Sequence, residues 1–290
     1  MRPIFRFAPS PNGRLHLGHA YSALCNERAA DALSGVLKLR IEDIDPTRSK
    51  REYEEAIVAD LAWLGVAFDA RLRRQSDHLS DYAAAIEALR TRGLVYPCYC
   101  SRGRILADNS GARDPDGGPL HARKCVDADT YVRLASGETA GWRLDMRQAL
   151  AEIGEPLFWD EYGEGDSPRA IEAAPPDWGD VLLGGKERPA TYHLAVVVDD
   201  AIQEVTDIVR GRDLFLATSI HVVLQALLGL PRPRYRHHRL VLDQTHAKMS
   251  KSLASKPLAA LREEGFSAHD IRSSLGFGGL GRSALSVVLS

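Results

Sequence analysis

The chain has 290 residues, 44% of them hydrophobic and 26% charged, with a formal net charge of −2, ordinary values for a globular enzyme of one large domain plus an insertion. With no global basic field, any nucleic-acid surface must be local. No apolar run approaches the ~20 residues of a membrane span and no signal peptide precedes the first strand-like run, which together predict a cytoplasmic location without a membrane partner.

Taken in order, a short strand at Ile4 to Phe7 breaks at Pro9, Pro11 and Gly13 and enters a helix at His16-Leu17-Gly18-His19. Free N–H groups at a helix N-terminus attract phosphate, and a glycine there lets a flat ring approach the backbone. Leu17, Ala20, Tyr21 and Leu24 recur at helical spacing, and Ser34-Gly35 is a stop signal. Leu37, Leu39 and Ile41 then alternate with Lys38, Arg40 and Glu42, as a strand does. Strand, helix and strand make a parallel crossover whose ligands sit at the carboxyl ends of the strands, where Arg6 to Ser10 and Glu42 fall. Asp43 and Asp45 suit an Asp-Pro turn better than a metal pair. Ser49 to Glu52 reads as a capping box for a helix with Tyr53, Ile57, Leu61 and Leu64 on its apolar face, ended by Gly65. A second amphipathic helix carries Leu79, Tyr82, Ala83, Ile86 and Leu89 and runs to Gly93.

From Tyr96 to about Trp178 the texture changes to Gly, Pro and Asp clusters with short strand-like runs at Tyr131 to Leu134 and Gly141 to Leu144, the pattern of an inserted subdomain. Cys98, Cys100, His121 and Cys125 offer three sulfurs and an imidazole, a plausible tetrahedral zinc set; three buried cysteines with a surface histidine is the competing reading. The remaining cysteine, Cys25, reads as core packing. Thr191 to Asp200 reads as a buried strand opening on two carboxylates, Glu204 to Asp213 as the next strand and its turn, and Leu216, Ile220, Val223, Leu224 and Leu227 as a helix. A basic loop, Arg232 to Arg239, and a second basic patch, Arg71 to Arg74, are either local nucleic-acid surfaces or solvated loops. Lys248-Met249-Ser250-Lys251-Ser252 sets two lysines in a Ser-rich turn, suited to a triphosphate whose charge shifts during reaction. Ala259 to about Gly279 reads as a helical pair.

The segments Arg6 to His19 and Lys248 to Ser252 resemble the two signature motifs of class I aminoacyl-tRNA synthetases, and Arg6-Phe7-Ala8-Pro9-Ser10-Pro11-Asn12-Gly13 resembles their glutamyl branch. The cysteine pairs resemble those of its short relatives, the glutamyl-queuosine tRNA(Asp) synthetases, which have a tyrosine where this chain has His121. The resemblance implies an α/β fold: a class I synthetase Rossmann-like doubly wound parallel sheet with an inserted zinc-bearing subdomain and a short helical C-terminal stem. Its implied divisions are a catalytic domain over residues 1–95 and 179–255, an acceptor-binding insertion over 96–178, a helical stem over 256–290, and no anticodon-binding domain.

The resemblance further implies that glutamate attacks ATP, accompanied by Mg2+, to form glutamyl-adenylate without tRNA. The glutamyl group then passes to queuosine in the anticodon loop of tRNA(Asp). His16, His19 and Lys251 are the implied catalytic groups. His16, Gly18, His19, Lys248 and Lys251 would bind ATP, while Arg6, Phe7, Ala8, Pro9, Ser10, Glu42, Tyr192 and Arg210 would bind glutamate. Cys98, Cys100, His121 and Cys125 would hold one structural Zn2+. A truncated glutamyl- or glutaminyl-tRNA synthetase charging a 3′ end and a non-catalytic binding relative are the alternatives; intact His16, Gly18, His19 and Lys251 argue against the second.

Overall fold

Apolar alternation and helical periodicity build the first crossover as expected in the computed structural model, which describes residues 2–69, 71–121, 125–163, 167–185, 188–242, 256–278 and 288–289. β1 (Ile4–Phe7) and β2 (Val36–Ile41) pair in parallel, with Phe5 opposite Leu37 and Phe7 opposite Leu39, and α1 (Leu17–Ala32) connects them. α2 (Arg51–Trp63) leads to β3 (Arg73–Arg74), parallel to β2. The Ser49 capping box does not form. Ser49 N donates to Asp45 O at 3.0 Å, so Ser49 belongs to the preceding turn and Lys50 becomes the N-cap without a side-chain bond. The turn reading of the aspartates holds: Asp45 accepts from Thr47 N and Oγ1, and Asp43 from Ser76 N and Oγ.

α3 (Leu79–Thr91) buries Tyr82, Ile86 and Leu89 but leaves Ala83 exposed. β4 (Val95–Cys98), α4 (Arg102–Asp108), α5 (Ala128–Ala135), β5 (Gly141–Leu144), α6 (Met146–Ile153), β6 (Phe158–Glu161), β7 (Arg169–Glu172) and β8 (Leu182–Gly184) follow. The strand-like run at Tyr131 to Leu134 is therefore helical: Asp127 accepts from Thr130 N at 2.9 Å and starts α5, whose Tyr131 and Val132 face solvent. β4, β5 and β8 make an antiparallel sheet that carries the cysteine region.

The chain then forms α7 (Tyr192–Ile202), β9 (Asp207–Gly211), α8 (Thr218–Leu228), β10 (Arg234–His238), β11 (Val241–Leu242), α9 (Leu258–Glu263), α10 (Ala268–Ser274) and β12 (Val288–Leu289). α7 replaces the strand expected at Thr191 to Asp200. Every residue from Leu194 to Asp200 is buried, the two aspartates included, so this part of the helix has no polar face toward solvent and shows no 3.6-residue period to betray it. The expected basic loop is also regular structure: β10 pairs in parallel with β9 on one side and β6 on the other, and Tyr235 is buried in the core. Leu216, assigned to the apolar face of the next helix, precedes α8 and is 53% exposed. The helical pair of the tail is present as α9 and α10.

β1 lies beside β9, with Thr206 N donating to Ile4 O at 2.9 Å. The parallel set β1-β2-β3 and the set β7-β6-β10-β9 thus meet where strand order reverses, the place at which open parallel sheets leave a crevice at their carboxyl ends. Among the described residues no helix is long and apolar enough to cross a membrane.

Candidate active site

A cavity of about 640 Å³ opens at that crevice, walled by the end of β1, the start of α1 and the end of β9. Arg6, Phe7, Ala8, Pro9, Ser10, His16, Gly18, His19, Glu42, Tyr192 and Arg210 all line it, although Tyr192 and Arg210 lie far along the chain from the rest. Lys248 and Lys251 lie outside the described residues.

The two histidines close the first turn of α1 on themselves. His16 Nδ1 accepts from Gly18 N at 3.1 Å, and His19 Nδ1 accepts from His16 N at 3.2 Å. The Gly18 N–H, one of the helix N-terminal donors, is therefore already satisfied within the turn. A backbone N–H can only donate, so both Nδ1 atoms are bare and each neutral ring carries its proton on Nε2. Burial lowers the pKa of His16; burial and then the neighbouring His16 bring His19 to about 3. At neutral pH the pair offers two imidazole N–H donors and no positive charge.

Deeper in, Arg6 Nε lies 3.1 Å from Asp200 Oδ1, and the fully buried Arg40 reaches Asp200 at 2.7 Å, Glu42 at 3.1 Å and Asp199 at 3.7 Å. Asp199 also accepts from Arg73, Gln75 and Tyr82. Burial pushes the Glu42 carboxyl up against the opposing pull of Arg40 and Arg6. At Asp200 burial also opposes ionisation, but Arg6 and Arg40 outweigh it and hold the carboxyl below its ordinary value. Arg40 escapes sequence reading because it occupies an ordinary polar position of an alternating strand and its partner Asp200 is 160 residues away.

Arg210 is held differently. Its bonds run to His237 Nε2 at 3.0 Å, His221 Nδ1 at 3.1 Å, Thr218 Oγ1 at 2.7 Å, Leu214 O at 3.2 Å and Tyr192 Oη at 3.5 Å. None of these partners is a carboxylate, so the cation keeps its charge to offer a ligand. With Glu42 facing the same cavity, the site suits a small molecule that carries both an ammonium group and carboxylates.

The four expected metal ligands converge at a second site. Donor atoms of Cys98, Cys100, His121 and Cys125 all lie within 4.8 Å of one another, and His121 Nε2 is 3.5 Å from Cys98 Sγ and 3.3 Å from Cys125 Sγ. Tyr96 Oη donates to Asp180 Oδ2 at 2.6 Å and lies 3.2 Å from His121 Nδ1. With its hydrogen committed to Asp180, the phenol oxygen accepts from Nδ1–H, which leaves Nε2 bare toward the sulfurs. Arg143 Nε donates to Cys98 Sγ at 3.4 Å, which favours the thiolate that a metal would take. Neither Tyr96 nor Asp180 stood out in the sequence, since each becomes a supporting group only when the chain folds.

The basic segments are largely spent inside the molecule. Arg73 bonds Asp199 and Asp81, Arg74 bonds Glu54, Arg234 bonds Asp207, and Arg236 donates to Gly163 O.

The family described as "tRNA synthetases class I (E and Q), catalytic domain" matches residues 4–284. The chain is 43% identical to a Glutamyl-Q tRNA(Asp) synthetase of Rhodobacter capsulatus, over 94% of this chain and 99% of that protein. It is 37% identical to one of Nitratidesulfovibrio vulgaris, over 92% and 83% respectively. A Glutamate--tRNA ligase of Aquifex aeolicus is 33% identical over 90% of this chain but 54% of its own length. Among solved structures, a glutamate tRNA ligase from Elizabethkingia meningosepticum superposes with a TM-score of 0.77 at 21% identity, a likeness of fold. That alignment covers 95% of this chain, which spans 60% of the solved chain.

Proposed function

The chain belongs to the class I tRNA synthetases of the E and Q type, and on that premise we propose that it activates L-glutamate with ATP and transfers it to the queuosine base of tRNA(Asp). The observation that carries the reading is the convergence of His16, His19, Glu42, Tyr192 and Arg210 on one cavity at the sheet's switch point. The near full-length similarity to Glutamyl-Q tRNA(Asp) synthetases supports the acceptor.

In this reading the glutamate α-carboxylate attacks the α-phosphorus of ATP, which enters with its magnesium. A new carboxylate–phosphorus bond forms as the bond to the bridging oxygen breaks, and pyrophosphate leaves with the electron pair. The Nε2–H groups of His16 and His19 donate to phosphate oxygens, and Lys251, assisted by Lys248, meets the charge that moves onto pyrophosphate. Arg210 and Tyr192 take the side-chain carboxylate, and Glu42 takes the ammonium. Arg6, already paired with Asp200, shapes the wall with Phe7, Ala8, Pro9 and Ser10. A hydroxyl of the queuosine cyclopentene diol then attacks the activated carbonyl and AMP leaves.

Residues 1–95 and 179–255 serve as the catalytic domain, 96–178 as the acceptor-binding insertion and 256–290 as the stem. The three sulfurs and bare imidazole nitrogen of the second site fit Zn2+, with Cys98, Cys100, His121 and Cys125 as ligands. When bound, that ion cross-links the insertion and supplies no chemistry to the cavity.

The test is glutamate-dependent ATP–pyrophosphate exchange in the absence of tRNA, followed by charging with labelled glutamate. We expect tRNA(Asp) bearing queuosine to be charged even after removal of its 3′-terminal nucleotide, and the unmodified transcript not to be. Efficient charging of unmodified tRNA(Glu) at its 3′ end would replace this reading with that of an ordinary short synthetase.

A further inference from the structure

Arg210 on β9 is oriented through His237 on β10, and His237 through Glu161 on β6, three neighbouring strands of one sheet. Arg210 Nε donates to His237 Nε2 at 3.0 Å, and since a guanidinium N–H only donates, that nitrogen must be bare. The imidazole proton therefore sits on Nδ1, 2.6 Å from Glu161 Oε2. Glu161 is itself locked, because its other oxygen accepts the backbone N–H groups of His237 at 2.9 Å and Gly163 at 3.2 Å. Both side chains are almost sealed from solvent, at 2% and 3% exposure for His237 and Glu161. The Tyr235 ring lies within 3° of parallel to the imidazole, and Phe215 packs edge-on against it.

We propose that Glu161 and His237 are positioning residues for the amino-acid substrate: the carboxylate selects the imidazole tautomer, and the imidazole, by accepting from Nε–H, fixes where the Arg210 cation stands against the substrate carboxylate. The inference rests on the glutamate reading above. A buried carboxylate whose ion-pair partner among the described residues is a histidine, and which does not line the cavity, has its reason in this chain of donors and acceptors.

Glu161→Gln tests it with a near-isosteric change. The two backbone N–H groups demand oxygen at one amide position, so the amide NH2 takes the other and donates to His237 Nδ1. The proton must then move to Nε2, where it confronts the Arg210 Nε–H. Nitrogen-15 imidazole spectra should show His237 protonated at Nδ1 in the parent and at Nε2 in Glu161→Gln. Pyrophosphate exchange should show the glutamate KM raised about tenfold, the loss of one charge-assisted bond, with kcat and the ATP KM moved far less. His237→Leu should raise the glutamate KM similarly, and His237→Gln, whose Oε1 again offers Arg210 an acceptor, should recover most of that loss. An Nε2–H tautomer in the parent, or a flipped tautomer with an unmoved glutamate KM, overturns the inference alone. A parent that exchanges without dependence on glutamate overturns the substrate reading and this inference with it.

Discussion

Arg40 Nη1 on β2 donates to Asp200 Oδ1 on α7 at 2.7 Å, with the guanidinium fully buried. The same carboxylate oxygen receives Arg6 Nε at 3.1 Å, and Arg40 Nη2 reaches Glu42 at 3.1 Å. One cation from the interior thus sets both an arginine and a glutamate of the cavity wall. Asp199 beside it ties the cluster to Arg73 and Tyr82, so cavity geometry and core integrity share one network.

Arg40→Met should therefore act on stability before it acts on chemistry. Removing the cation strands Asp200 and Glu42 in a buried setting, a change that costs about 3–5 kcal/mol where one partner of a buried pair is deleted. Urea unfolding measures it, and a loss below about 1 kcal/mol would show that Arg6 and Arg73 suffice without Arg40.

Arg210→Gln should raise the glutamate KM about a hundredfold and shrink the preference for glutamate over glutamine, because the charge that answers the distal carboxylate is gone. Exchange assays with both amino acids give the two ratios. An unchanged preference would move the side-chain subsite away from Arg210.

Elemental analysis of untagged protein should find one zinc per chain, and Cys125→Ser or His121→Ala should lose it. Tyr96→Phe should keep the metal but weaken it about tenfold in chelator competition, since His121 then loses the acceptor that fixes its tautomer. Full zinc occupancy in both ligand variants would remove the site.

Acid should unfold the protein through its buried imidazoles. Burial, then His16, lowers His19 to about 3; burial, then Arg210, lowers His193 to about 4; and burial with Arg210 takes His221 well below 6.5. Below pH 6.5 the unfolded chain binds protons that the folded chain refuses, so stability is fully present above that pH and falls as pH drops toward 4. Each such histidine contributes a slope of up to about 1.4 kcal/mol per pH unit. Glu42, pushed up by burial, works in the opposite sense, so the measurement to make is the difference between parent and His193→Asn in urea midpoints at pH 7.5 and 5. A parallel pair of profiles would contradict a neutral buried His193.

Much of the site was legible locally. Strand alternation and the Pro/Gly break placed Arg6 to Ser10 and Glu42 at strand ends, and close spacing collected the metal ligands. The histidine motif and the segments of Tyr192 and Arg210 were recognised by resemblance, and all of these line the same cavity. Two of the misread segments share one cause, burial. Leu194 to Asp200 is buried on every side, so its helical period is invisible, and Arg234 to His238 looks like solvated charge although Asp207, Gly163 O and Glu161 absorb it within a central strand.

The sequence by itself determined which chemistry the chain can attempt, because residue type and short-range spacing set charge, donor inventory and strand or helix polarity. Only the tertiary structure decided how those groups are poised: which nitrogen of His121 and His237 carries the proton, that Arg40 balances Asp200 and Glu42, and that among the described residues the bonding partners of Arg210 include no carboxylate. The His121 and His237 tautomers and the balance at Asp200 depend on partners 25, 27, 76 and 160 residues away in the chain, and these meet only when burial makes leaving them unpaired too costly.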